Sequence, residues 1–156
     1  MNDEKLDKID LKILALLQVR GRLKRNALAE EVHLSIPSVS ERLRKLEEHG
    51  FIRDYRAILN PERLGLDVSA FIFVISEASI HYKELVEKAK LHSEILECHA
   101  VTGEGSHLLK VLTSNTATLE KLLSEIQSWP GVKSTHTSVI LSSPKETTII
   151  PLNHLE

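Results

Sequence analysis

The 156-residue chain carries 20 Lys+Arg against 22 Asp+Glu, a formal net charge of −2, and is 42% hydrophobic and 27% charged. That is the composition of a soluble globular chain with room for one domain or two small ones. No apolar run approaches the ~20 residues that a membrane helix needs, the polar opening "MNDEKLDKID" does not read as a signal peptide, and the single cysteine, Cys98, excludes an internal disulfide framework.

Leu6, Ile9, Ile13, Leu16 and Leu17 recur at helical spacing and predict a helix over 6–19, capped by Asp3 or Asp7 and closed by Arg20-Gly21-Arg22. Lys24 and Arg25 open the next helix, where a Ser or Asp cap is more usual. Two cations there oppose the macrodipole, and a nucleic-acid phosphate is a natural compensation. Leu28, Ala29 and Val32 form the apolar face of this short helix. His33-Leu34-Ser35 interrupts it, and Val39, Leu43 and Leu46 then mark a second helix, with Ser35 as N-cap, Pro37 in the first turn and Gly50 just past the end. Two helices joined over so short a turn predict a helix-turn-helix. Glycine is the usual turn residue, and His33 is an acceptable substitute because histidine visits left-handed backbone more readily than most side chains.

The solvent face of the second helix carries Ser38, Ser40, Glu41, Arg42, Arg44 and Lys45. Small hydroxyls at Ser35, Ser38 and Ser40 let a helix sink into a major groove, and Arg42, Arg44 and Lys45 can reach base edges or phosphates. Arg22, Lys24 and Arg25 are assigned to flanking phosphate. The competing reading is an ordinary solvated amphipathic helix. Charge partition favours a nucleic-acid face: residues 1–60 hold 12 Lys+Arg against 10 Asp+Glu, and residues 61–156 hold 8 against 12. Aromatics at 4% argue against a stacking platform for single strands, so double-stranded DNA is the expected partner.

Residues 51–60, "FIRDYRAILN", predict a strand acting as a wing or linker, with Arg53 and Arg56 near backbone phosphate. Asn60-Pro61 and Gly65 mark a boundary. The expected domains are 1–60, a winged helix-turn-helix with linker strand 51–60, and 66–156. The second half alternates a strand over 68–76, a helix over 81–91, strands over 95–102 and 107–113, a helix around Leu119–Ile126 and a strand over 132–141. An edge strand over 146–150 completes it. The fold class is therefore α+β: a winged helix-turn-helix followed by a ferredoxin-like βαββαβ sandwich with both helices on one face of an antiparallel sheet. The other face of so small a sheet needs cover, and a second copy of the chain is the simplest source.

The blocks "LDKIDLKILALLQVRGR", "LAEEVHLSIPSVSERLRKLEEHGFIRDYRAILNPERLG", "ECHAVTGEGSHLLKV" and "WPGVKSTHTSVIL" resemble successive blocks of the Lrp/AsnC transcriptional regulators, from about Leu6 to Leu141. The resemblance implies a cytoplasmic, nucleoid-associated regulator. Its homodimers would assemble further, often to octamers, and a small-molecule effector, usually an amino acid, would retune DNA binding. It also places the effector loop at Val101–His107, with Gly103, Glu104, Gly105, Ser106 and His107 as candidate contacts and Thr135 and Thr137 lining the cleft. Relatives commonly follow the first glycine with an acid, an aromatic, an aspartate and another aromatic. Here Glu104 keeps the acid, while Gly105, Ser106 and His107 replace the rest, so recognition of an effector amino group falls to Glu104. A plain hairpin turn is the alternative for this loop, and ordinary strand threonines for Thr135 and Thr137.

Other chemistries are weaker. Cys98, His99 and His107 invite a metal site, but Cys98 and His99 alternate across a strand, so no metal and no cofactor are expected. The sequence lacks a nucleophile elbow, a P-loop and a dinucleotide fingerprint, so an enzyme is not expected. Two alternatives to the regulator remain. One is an effector-independent protein that bridges DNA architecturally. The other is a tetrapyrrole decarboxylase, known on similar sequences, for which Tyr82 and His107 are the nameable acids but the acidic second half offers no basic pocket.

Overall fold

The computed structural model describes residues 5–103 and 105–155. These divide into two compact units, one of residues up to Ile58 together with the tail from Lys145, the other Leu59–Pro144.

The first unit is built on helices α1 (Lys8–Val19), α2 (Arg25–Val32) and α3 (Ile36–Glu48). Asp7 caps α1, accepting from Ile9 and Asp10 N–H at 2.8 Å each, while Asp10 reaches back to the Asp7 N–H, a reciprocal capping box. Asp3, the other expected cap, lies outside the described residues. Ile13, Leu28, Ala29, Val32, Val39, Leu43 and Leu46 form a single buried cluster, so the apolar stripes of all three helices meet in one core.

Between α2 and α3, His33 adopts φ 56°, ψ 44°, and is the one described non-glycine residue at positive φ. Its N–H donates to Glu30 O and the Leu34 N–H to Ala29 O at 3.0 Å, a Schellman closure of α2. Ser35 then caps α3 by accepting from the Ser38 N–H at 3.3 Å. The helix ends with Gly50 in the left-handed region and the Ile52 N–H on Leu46 O.

The linker differs from expectation. Residues 53–60 form no strand among the described residues, and the sheet contains only strands of the second half. Tyr55 is instead fixed by its side chain, its hydroxyl donating to Glu47 of α3 at 2.9 Å. Burial and this carboxylate push its phenol up to about 12. The expected edge strand over 146–150 is likewise absent. Residues 145–155 belong with the first unit, not with the second as expected from 66–156. Their anchor is the Gln18 side chain, whose Nε2 donates to Ile150 O at 3.1 Å and whose Oε1 accepts from the Ile150 N–H at 2.6 Å. One amide thus satisfies both backbone groups of a residue 132 positions away.

The second unit holds β1 (Val68–Ser76), α4 (Tyr82–Leu91), β2 (Ile95–Ala100), β3 (His107–Thr113), α5 (Thr116–Gln127) and β4 (Val132–Val139). The sheet is antiparallel with order β2-β3-β1-β4, the expected split-βαβ arrangement. Ala70, Ile72, Val74, Leu109 and Val111 pack in one core with Leu85 and Ala89 of α4 and with Leu119, Leu122 and Ile126 of α5. Side chains on the other face are Phe71, Phe73 and Ile75 of β1, Leu108, Lys110 and Leu112 of β3, and Ser134, His136 and Ser138 of β4. This face is less buried than the helix-covered one: Phe71, Ile75, Leu108 and Leu112 are half-buried, and Phe73 is 38% exposed.

The His33 turn yields a direct test. His33→Val places a β-branched residue at positive φ and should lower stability by about 2 kcal/mol, whereas His33→Gly should change it by less than ~1 kcal/mol. Thermal unfolding of both variants measures the difference, and equal losses would show that the turn does not require left-handed backbone.

Candidate nucleic-acid interface and ligand loop

Helical geometry sorts the candidate residues of α3 by direction. Relative to Val39 and Leu43 in the core, successive residues turn by about 100°, which puts Arg44 and Lys45 well out in solvent and Arg42 only about 60° from Val39. The structure agrees. Ser35, Ser38, Arg44 and Lys45 are exposed, and Ser40 and Arg42 are half-buried. Ser35 Oγ and Ser38 Oγ lie 2.8 Å apart, pairing the two hydroxyls at the start of the helix.

The two arginines are held in different ways. Arg44 sits between Glu41 (2.6 Å) and Glu48 (2.5 Å) on its own helix, all three side chains about half exposed. Those carboxylates raise the guanidinium pKa, and Glu41 is lowered in turn, first by its hydrogen bond to Arg44. Pairs this exposed are weakly held and salt-screened. Arg42, expected at base edges or phosphate, is instead turned toward the scaffold. Its Nη1 donates to Asp7 Oδ2 at 2.8 Å and to Asp10 Oδ1 at 2.7 Å. Here the side chains are 29% exposed for Arg42 and 17% for Asp10, so the guanidinium is half withdrawn from water.

Arg22, Lys24 and Arg25 are exposed around the start of α2, as the sequence suggests. Lys24 is the N-cap residue of α2 and supplies no side-chain cap. Lys24 and Lys45 form no ion pair among the described residues, so both ammonium groups face solvent unpaired there. Arg56 is bound to Asp54 at 2.7 Å, and Arg53 is exposed.

In the second unit the ligand loop is pinned to the end of β1. Val74 O accepts from the Ser106 N–H at 2.9 Å and from Ser106 Oγ at 3.1 Å. A Cβ on Gly105 would lie 3.4 Å from the same oxygen, so the loop backbone approaches β1 closely there. Val74 also pairs with His107 on β3 and Thr135 on β4, which places His107, Val74 and Thr135 in one row on the helix-covered face. Thr137 follows opposite Ile72, and Thr135 Oγ1 accepts from Gln127 Nε2 at 2.9 Å. The structure therefore gathers Gly105, Ser106, His107 and Thr135 about Val74. Gly103 is exposed at φ 110°, and Glu104 lies outside the described residues.

His107 is 2% exposed. With the Ser106 hydroxyl proton directed at Val74 O, His107 Nδ1–H donates to Ser106 Oγ at 3.0 Å. The Tyr82 ring meets the imidazole edge-on, centroids 4.9 Å apart at 86°. Burial holds the imidazole pKa below its usual 6.5. Cys98 pairs with Leu109 toward the helices and His99 with Leu108 on the other face, so the two diverge as alternation requires. The described residues contain no group of three or more His, Cys, Asp or Glu placed to hold a metal ion.

Sequence reasoning named Asp7 as a cap but missed its pairing with Arg42, and it missed Asp10 and Gln18 altogether. The spacing Asp7-x-x-Asp10 at the start of a helix signalled a capping box, and with Arg42 on the flank of the α3 stripe it could also have signalled an ion pair. Nothing local marks Gln18.

Two family models match the chain: a winged helix-turn-helix DNA-binding domain over residues 6–53 and the Lrp/AsnC ligand binding domain over residues 69–150. The HTH-type transcriptional regulator FL11 of Pyrococcus abyssi is 37% identical over 147 residues, covering 94% of this chain and 97% of that protein. The leucine-responsive regulatory protein of Escherichia coli is 37% identical over 144 residues, 90% of this chain and 88% of that protein. The crystal structure of the transcriptional regulator NMB0573 from Neisseria meningitidis in complex with L-Met superimposes with a TM-score of 0.92 at 38% identity, covering 97% of this chain and all of that one (100%).

The state of His107 predicts a pH response. A histidine kept neutral by burial opposes protonation, so its stabilising effect is complete above pH 6.5 and is lost as pH falls from there toward its lower folded value. The unfolding midpoint of the second unit, followed by the fluorescence of buried Trp129, should drop between pH 7.5 and 5.5. His107→Gln should remove most of that drop. An unchanged pH dependence in the variant would assign it to another group.

Proposed function

The chain belongs to the Lrp/AsnC family of transcriptional regulators, with a helix-turn-helix DNA-binding domain and a ligand-binding domain, and from that premise we propose how its residues divide the work. Ser35, Ser38, Ser40, Arg44 and Lys45 enter a major groove of double-stranded DNA. Arg22, Lys24 and Arg25 hold flanking phosphate, with Arg53 and Arg56 of the linker beside them. The observation that carries this reading is the helix-turn-helix closed at a left-handed His33, which leaves Lys24 and Lys45 in solvent at the N-terminal cap of one helix and on the outer face of the next. Phosphate contact offsets the cations that oppose the α2 dipole.

The effector is an amino acid held at Gly103–His107 with Thr135 and Thr137. Support comes from the L-Met complex of the Neisseria regulator and from the convergence of Ser106, His107 and Thr135 on Val74. Glu104 receives the amino group, and loop N–H groups receive the carboxylate. The less buried sheet face, with Phe71, Phe73 and Ile75, pairs with a second copy, and such dimers assemble to an octamer. No helix among the described residues is long and apolar enough to cross a membrane. We place the protein in the cytoplasm on the nucleoid, without catalytic activity. The departures at Gly105, Ser106 and His107 favour, as second reading, a protein that bridges DNA without an amino-acid signal.

A thermal-shift screen of the twenty amino acids beside DNA binding from a randomised pool separates these readings, since any ligand of the folded state raises its melting temperature. One clear hit is expected. No hit with DNA binding intact would support the effector-independent reading, and no DNA binding would reject both. On DNA, Lys24→Ala and Lys45→Ala should each flatten the slope of log affinity against log salt by about 0.9, with Lys24→Ala weakening all sequences alike. An unchanged slope in either would remove that lysine from the interface.

A further inference from the structure

We propose that Arg42 is a positioning residue of the DNA-reading helix: clamped by Asp7 and Asp10 at the start of α1, it fixes the rotation of α3 and does not itself contact DNA. The inference rests on the DNA-binding reading above and concerns how that site is held.

Three observations carry it. The first is geometry. A single guanidinium nitrogen is shared by two carboxylates at 2.8 and 2.7 Å, from a residue only about 60° off the core direction of α3. The second is that both carboxylates are themselves fixed, because Asp7 and Asp10 close the capping box of α1. Arg42 is therefore tied to a rigid helix end, in contrast to Arg44, whose partners lie on its own helix and cannot orient it against anything else. The third is location. Asp10, Ser38, Arg42 and Lys45 line one cleft with Lys5 and Phe51, so the clamp borders the side chains assigned to the groove. A few degrees of rotation about the α3 axis moves Ser38 and Lys45 across the base edges, and a charge-assisted pair at half burial is stiff enough to resist it. The carboxylate of Asp7 is held below its usual 3.8, first by its backbone hydrogen bonds and then by Arg42, so the Asp7 arm of the clamp is ionised throughout the neutral range.

The clamp and a direct DNA contact predict opposite signs. Asp7→Asn with Asp10→Asn removes two negative charges beside the interface and frees Arg42, and Asn still caps the helix. If Arg42 were a DNA contact, this double variant would bind more tightly and with a steeper salt slope. The clamp predicts weaker binding, on the order of tenfold, to a duplex that the unaltered protein selects from a randomised pool. Arg42→Ala should lose about the same factor with the salt slope unchanged, and the triple variant should bind no worse than either. Affinities are read well below each variant's melting temperature, confirmed by circular dichroism, so that global unfolding does not contribute. Tighter binding by the double variant, additive losses in the triple, a slope reduced by about 0.9 in Arg42→Ala, or affinities that do not change would each overturn the clamp while leaving the DNA-binding reading intact. Absence of DNA binding by the unaltered chain would overturn both.

Discussion

The first unit depends on a reversal made at one residue. His33 turns the chain through the left-handed region, and only that conformation lets the Leu34 N–H close α2 while Ser35 starts α3. Once the two helices are fixed at that crossing, Leu28, Ala29 and Val32 face Val39, Leu43 and Leu46, and Ile13 of α1 seals them. The outward face of α3 is set first by this core, because Val39, Leu43 and Leu46 are committed inward, and is then trimmed by the pairing of Arg42 with Asp7 and Asp10.

Formal charge is a poor guide to what this face can do. The chain is net negative, and even its basic part carries only a small excess of cations. What matters is which cations are already engaged. Arg42 is committed to carboxylates of another helix, Arg44 is shared loosely between two carboxylates of its own, and Lys24 and Lys45 have no ion pair among the described residues. A count of positive side chains treats these as equal. Their partners divide them into a structural cation, an exchangeable one and available ones.

The sequence is legible wherever structure is decided within a few residues. Helical periodicity placed α1 to α3, Ser35 and Gly50 marked the ends of α3, and Asn115 before Thr116 now explains the start of α5, with its own reciprocal cap. The βαββαβ order could be read because each strand is bounded by its own turn residues. The misses share one property: they are decided by partners far away in the chain or beyond it. The segments 51–60 and 146–150 have strand-like composition, but a strand needs a neighbouring edge, and neither finds one among the described residues. Gln18 instead takes both backbone groups of Ile150, a pairing across 132 residues that no local pattern announces. The pairing of Arg42 escapes the sequence for a subtler reason. On a helix surface the flank of the core stripe and the solvent face both accept arginine, and only the two aspartates 32 and 35 residues earlier distinguish them.

The ligand loop shows how a weak sequence pattern becomes a defined place. Gly105 and Ser106 add little bulk, yet the loop is firmly anchored. Ser106 presents both its N–H and its hydroxyl to Val74 O, and His107 uses that same hydroxyl as its acceptor. Protonating the imidazole adds charge to a buried ring whose aromatic neighbour Tyr82 presents no carboxylate to balance it. The loop is therefore anchored through a buried histidine and one serine. Gly105 lies close against Val74 O and Phe73, and the hydroxyls of Ser106 and Thr135 are engaged by Val74 O and Gln127, so this corner of the unit is closed by short, small side chains and backbone packed tightly together.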